Sequence, residues 1–336
     1  MEETQDYWIT DDKIIFKYHF NKQLNEYIDL ISKFKQLVFS NYTDLDITTK
    51  TKNIYDDKYR EYYKDSSFNK NISRLPHNLS HLILGYNFNK KIIKLPKNLT
   101  HLVFGKRFNN EIDILPQNLI YLQFGDCFNK EINILLPSNL TYLIYGNEFN
   151  RPVCRLPKTL THLEFGYSFN CSIKDLPPNL IYLKFGRSFN QPINSFPSNL
   201  THLEFGRSFN QQITRLPNIK YLSINLVANL GANLGANSSV NMHLIENLPN
   251  SLEELVLGIN FNLELNDLPN ELKKISWLND DYDKQLNNLP ESIEQIELPY
   301  KYDKKISKLP KKLKTIKCAK DYKFIDDFYD HQVIFI

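Results

Sequence analysis

The chain has 336 residues, 42% of them hydrophobic, and its 41 basic and 38 acidic side chains leave a net charge of +3. That near balance argues against a dedicated nucleic-acid protein, which concentrates a basic excess on one face. Cys127, Cys154, Cys171 and Cys318 show no Cys-x-x-Cys spacing, so no disulfide framework is expected.

The first residues, Met-Glu-Glu-Thr-Gln-Asp-Tyr-Trp, are acidic and lack the basic start and apolar run of a signal peptide. No apolar stretch approaches the length of a membrane span. The chain therefore reads as intracellular, not secreted, with no membrane partner. In residues 1–67 the run Ile14 to Leu24 overlays Leu82 to Ile92 position for position, and Phe34, Leu37, Phe39 and Ile47 form a second faded copy. Phe68 to Ile72 closes a third, after a Tyr-rich run from Tyr55 to Tyr63.

From residue 68 the copies become regular. Leu-Pro or Phe-Pro pairs start at Leu75, Leu95, Leu115, Leu136, Leu156, Leu176, Phe196 and Leu216, a step of 20 with one of 21. Twelve of the sixteen prolines occupy this slot and eight of the ten glycines fall ten residues after its first member, so the period is a true internal repeat. Leu216 to Leu248 is twelve residues too long and holds a slipped tetrad, Ala228 to Gly231 and Ala232 to Gly235, which reads as a low-complexity surface loop. The frame returns at Leu248, Leu268, Leu289 and Leu309, and Val333 to Ile336 reads as one last strand. The expected organisation is one continuous solenoid: 1–67 a degenerate N-terminal cap, 68–223 regular repeats, 224–247 an insertion, and 248–336 degenerate repeats with a C-terminal cap.

Within a unit, Leu160-x-x-Leu163-x-Phe165 alternates apolar and polar residues, a strand signal, and Gly166 follows at once. The spacing of Phe169, Asn170, Ile173 and Leu176 does not fit a 3.6-residue helix, and Pro177 would interrupt one. The fold class is thus a β-rich solenoid of about fifteen turns, each a short strand, a corner and an extended return, with a parallel sheet on one face and little or no helix. One turn cannot bury enough apolar surface to fold alone. The recurring asparagines, Asn89 through Asn210 and Asn262, read as a ladder satisfying backbone groups at the corners. The glycines supply either positive φ or close backbone approach.

The pattern Leu-Pro-x-Asn-Leu-Thr-His-Leu-x-Phe-Gly-x-x-Phe-Asn-x-x-Ile resembles the FNIP repeat, a relative of the leucine-rich repeat found in social amoebae and in giant viruses that infect amoebae. Phe189 to Ile193, Phe-Asn-Gln-Pro-Ile, lies nearest to the name-giving form. The resemblance is strong over 68–215, partial over 248–316 and faint before 68. It implies a leucine-rich-repeat-like right-handed superhelix used for protein binding, without catalytic residues or cofactor, and a host-cytoplasmic location if the source is viral. Some members carry an F-box ahead of the repeats and look like substrate receptors of ubiquitin ligases. Here residues 1–13 are too few for that module, which leaves a ligase role without a visible F-box, or a self-assembling structural role through the Val333 to Ile336 sheet edge, as alternatives.

In each strand the positions between the leucines point away from the core. One outward column reads His81, His101, Tyr121, Tyr142, His162, Tyr182, His202, Tyr221, and the next reads Ile83, Val103, Gln123, Ile144, Glu164, Lys184, Glu204, Ser223. Arg187 and Arg207 stand beyond the glycine, one turn apart. Rigid aromatic residues flanked by arginine are what protein-binding hot spots use. The expected partner-binding residues are therefore Tyr121, Tyr142, His162, Glu164, Tyr182, Lys184, Arg187, His202, Glu204 and Arg207. No metal or catalytic constellation is expected: Gly-x-Ser-x-Gly and His-Glu-x-x-His are absent, and nothing converges on His81 and His101 as a third ligand. Glu164 and Glu204 interrupt any phosphate path, so nucleic acid is disfavoured.

Overall fold

The computed structural model describes residues 2–42, 64–213, 215–224, 247–258, 261–278 and 280–336. The Tyr-rich run after Tyr55, Ile47 and the Ala-Asn-Leu-Gly tetrads lie outside them. The chain divides into two compact units, Met1–Gly166 and Tyr167–Ile336.

The first unit begins with β1 (Glu2–Glu3) and β2 (Tyr7–Ile9), an antiparallel hairpin laid antiparallel on β3 (Lys13–Phe16). A 3₁₀ turn, Leu24–Tyr27, and a single helical turn, α1 (Ile28–Ile31), lead to β4 (Gln36–Phe39). Then come β5 (His81–Ile83), β6 (His101–Val103), β7 (Tyr121–Gln123), β8 (Tyr142–Ile144) and β9 (His162–Glu164). From β3 to β9 each strand pairs in parallel with the next, in a register that keeps like positions opposite one another, Leu82 to Leu102 and Leu102 to Leu122. A period of one turn per repeat therefore becomes a set of straight columns.

The second unit continues the pattern by itself: β10 (Tyr182–Lys184), β11 (His202–Phe205), β12 (Tyr221–Ile224), β13 (Glu254–Leu257), β14 (Lys274–Trp277), β15 (Gln295–Glu297), β16 (Thr315–Cys318) and β17 (Gln332–Phe335). All neighbours are parallel. β12 and β13 pair Tyr221 with Glu254 and Leu222 with Leu255, so the strands on either side of the lengthened eighth unit are neighbouring rungs in register. Each unit is a parallel β-solenoid with almost no helix, as the periodicity implies.

The core is built from rings. Phe88, Phe108, Phe128 and Phe149 are buried and stack along the first unit at 6.0–6.1 Å between centroids. Phe104, Phe124 and Tyr145 form a second column that interleaves with the first, Phe124 lying 4.2 Å from Phe128. Offset stacking at these separations adds to the area term of burial. In the second unit Phe169, Phe189 and Phe209 repeat the arrangement at 6.0 Å.

No described glycine has positive φ, so the glycine column serves close approach alone. A Cβ on Gly105 or Gly125 would overlap the carbonyl oxygen of the glycine one turn back. The asparagine ladder is real, and its direction is now defined: the Oδ1 of one asparagine accepts the backbone N–H of the asparagine a turn later. Asn89 does so for Asn109 and Asn109 for Asn129, both at 3.0 Å, and Asn170 does so for Asn190 and Asn190 for Asn210, both at 2.8 Å. These side chains are half-buried or exposed, on the rim of the corner rather than its inside. A second ladder runs through the Pro-x-Asn position, where Asn98 Nδ2 donates to the His77 carbonyl and Asn118 Nδ2 to that of Lys97.

Candidate functional site

Because side chains alternate along a strand, burying Leu82, Leu102, Leu122 and Leu143 turns the flanking positions outward. In the first unit the parallel register sets His81, His101, Tyr121, Tyr142 and His162 side by side. They stack: His81 on His101 at 4.1 Å and 10°, His101 on Tyr121 at 5.7 Å, Tyr121 on Tyr142 at 5.8 Å and 31°, and Tyr142 on His162 at 4.0 Å. Three of the four expected residues here, Tyr121, Tyr142 and His162, thus form one aromatic ridge. Glu164 lies in the adjoining column opposite Ile144.

The ridge is oriented from beneath. The Thr100 hydroxyl donates to the Ser80 carbonyl at 3.1 Å and lies 2.9 Å from His101 Nδ1; Thr161 repeats this with the Thr141 carbonyl and His162. A hydroxyl has one proton, so with it given to the carbonyl, Nδ1–H donates to Oγ1 and the neutral ring keeps Nε2 as its acceptor. Burial lowers the pKa of His81 and His101, and for His81 the neighbouring His101 and Lys13 push the same way against Asp12. Burial, then Glu164, raises Tyr121 to about 12, and its hydroxyl donates to Gln123 Oε1 at 2.8 Å. What the ridge presents is a run of flat, hydrogen-bonded rings.

At the start of this unit Trp8, Ile15 and Val38 form a buried cluster on the same side as Ile83. Trp8 Nε1 donates to Glu3 Oε1 at 3.0 Å, and Lys17 Nζ sits 4.9 Å over the Trp8 ring while paired with Glu3 at 2.7 Å. The hairpin thus closes one end of the outward face. No repeat signature marks it, and sequence reasoning missed it.

In the second unit Tyr182, His202 and Tyr221 continue as a column, at 6.2 Å with a 34° tilt and then 5.7 Å. Glu204 is enclosed by two of the expected residues: the Tyr182 hydroxyl donates to its Oε1 at 2.6 Å, and Lys184 Nζ lies 3.3 Å from Oε2. Arg187 and Arg207 occupy the same corner of consecutive turns, exposed, with no ion-pair partner among the described residues. The aromatic column ends at Tyr221; its successors are Glu254, Lys274, Gln295 and Thr315.

One position earlier runs a ladder of alternating charge, also missed. Glu253 pairs with Lys220 at 3.0 Å and with Lys273 at 2.7 Å, and Glu294 pairs with Lys314. Its signal was available as Lys220, Glu253, Lys273, Glu294 and Lys314, each just before a strand. Among the described residues no three His, Cys, Asp or Glu side chains gather as a metal site, and no helix is long and apolar enough to cross a membrane.

Stacked parallel strands, a leucine core and short returns define a leucine-rich-repeat-like β-solenoid scaffold. The FNIP repeat matches five stretches, residues 91–127, 108–148, 128–168, 169–196 and 189–226, so this part of the chain is built of FNIP repeats. Among solved structures it is similar to CroV588, a giant-virus protein described as a novel circular leucine-rich-repeat structure, at 32% identity and a TM-score of 0.61, over 95% of this chain and 55% of that one. It is also similar in fold to YopM from Yersinia enterocolitica WA-314, at 24% identity and a TM-score of 0.52, over 76% of this chain and 54% of that one. The chain therefore spans about half the length of the structures it matches. A search of curated proteins finds no match.

Proposed function

We propose that this protein is a non-enzymatic interaction scaffold that binds a protein partner through the outward strand face. The observation that carries this reading is the division of labour among columns. Leucine, phenylalanine and glycine are committed to the interior and the Phe-adjacent asparagine to cross-turn bonds, whereas Tyr121, Tyr142 and His162 in the first unit, and Tyr182 and His202 in the second, are aromatic at outward strand positions that the core does not use. Stacked rings lose little conformational freedom on contact, which is why aromatic residues dominate protein interfaces. Lys184, Arg187 and Arg207 rim the second part with hydrogen-bond donors, while Glu164 and Glu204 oppose a phosphodiester backbone.

The test is affinity capture from the native cell with two triple variants, Tyr121→Ala/Tyr142→Ala/His162→Ala and Tyr182→Ala/His202→Ala/Arg207→Ala. A protein captured by the wild type and lost from one of them, with the far-UV spectrum and cooperative melting retained, is the expected result. Undiminished capture by both would place the binding surface elsewhere.

A further inference from the structure

Away from the strand face, the returns of two consecutive turns in the first unit enclose a groove of about 470 Å³ lined by Ile93, Lys94, Lys97, Ile114, Leu115 and Pro116. It opens just past Ile92 and Ile112, whose backbones form an isolated parallel bridge that holds the two returns together. Leu115 is buried and forms its floor, while Ile93 is 69% and Ile114 54% exposed.

Nothing in the repeat requires these isoleucines. At the position of Ile93 the later turns carry Asp113, Asn133, Cys154, Lys174 and Asn194, and at that of Ile114 most other turns carry Lys94, Arg155, Asp175 and Ser195. One turn further on, the extra residue of the 21-residue unit is Leu135, 66% exposed. Large apolar side chains concentrated where a repeat otherwise places polar ones mark an interaction surface. The groove is also charged in one sense. Lys94 and Lys97 line it with no ion-pair partner among the described residues, whereas the nearby Lys91 is neutralised by Asp113 at 2.9 Å.

We infer that this groove is a second docking site, for an extended protein segment bearing one or two bulky apolar side chains flanked by carboxylates. The apolar groups fill the space between Ile93 and Ile114, and the carboxylates meet Lys94 and Lys97. Concavity favours a peptide over a lipid surface, because the apolar atoms line a cleft instead of crowning a protrusion.

The experiment is selection of displayed random twelve-residue peptides on the full chain, with depletion on an Ile93→Ser/Ile114→Ser variant, followed by fluorescence polarisation with the selected peptides. The expected result is a set of peptides pairing Leu, Ile or Phe with Asp or Glu. Their affinity should fall about tenfold or more in the double serine variant, the scale of one lost buried aliphatic contact. It should fall less in Lys94→Gln/Lys97→Gln, and with added salt, while the melting curves stay unchanged. Four outcomes overturn the proposal: failure to recover peptides that discriminate the variant, recovery of basic peptides, sedimentation with anionic phosphatidylserine vesicles that depends on Ile93, and dimerisation that depends on Ile93.

Discussion

The regular turns between residues 91 and 166 and the later turns between 248 and 323 solve the same problem with different side chains. In the first region the interval between turns is held by phenylalanine stacks, a glycine column and the asparagine ladder. In the second, Tyr282, Tyr302 and Tyr322 take the phenylalanine positions, stack at 6.2 Å, and donate their hydroxyls to the carbonyls of Leu263, Lys284 and Lys304. After Gly258, Leu278, Pro299 and Ala319 fill the glycine slot, and the Glu254–Lys274 pair followed by Gln295 and Thr315 takes the place of the outward rings. What the turn requires is one ring in the core and at least one bond to its neighbour. Which residues supply them is interchangeable, and that is why the later turns resemble the repeat only partially.

Core substitutions should break this comparison hardest. Phe128→Ala removes a buried ring in contact with Phe108, Phe124 and Phe149 and should cost about 3 to 5 kcal/mol in chemical denaturation. Gly125→Ala forces a methyl into the Gly105 carbonyl and should cost about 3 kcal/mol, whereas Ala319→Gly in the later region should cost under about 1 kcal/mol. Equal effects of the two would refute the claim that the turns bearing glycine approach more closely than the turn bearing Ala319. Asn109→Ala and Tyr302→Phe each delete one partly exposed cross-turn bond, so each should cost about 1 kcal/mol.

The stacked pair His81 and His101 gives a pH signature that the later turns lack. Their folded pKa values lie below the ordinary 6.5, so below that value the unfolded chain binds protons more readily. Their stabilising contribution is present above pH 6.5 and is lost as pH falls towards their folded values. The melting temperature should therefore drop between pH 7 and pH 5, and His81→Gln/His101→Gln should flatten that part of the profile. The smallest effect belongs to Lys273→Gln: its pairing with Glu253 is solvent-exposed, so the change in melting temperature should vanish at high salt.

These contrasts also show what a single sequence can disclose. Roles filled by one residue type in every turn, such as Phe108, Gly105 and Asn109, were legible because the parallel register converts spacing directly into contact. The outward column was legible for the same reason, since only the strand alternation was needed to set His101 beside Tyr121. The β1–β2 hairpin was not, because its partner β3 is met antiparallel and no copy of it exists. The exposure of the asparagines was hidden too: a ladder on the rim and one inside the corner have the same spacing. The apolar groove at Ile93 and Ile114 involves two different positions of the repeat, brought together only by the return path.

The account rests on the separation of a structural interior from a binding exterior, and the most direct test is site-specific photo-cross-linking. A benzophenone side chain in place of Tyr142 should yield, in the native cell, an adduct with one defined protein, while the same group in place of the exposed Lys174 in the returns should not. No adduct at Tyr142, or the same adducts at both positions, would contradict it.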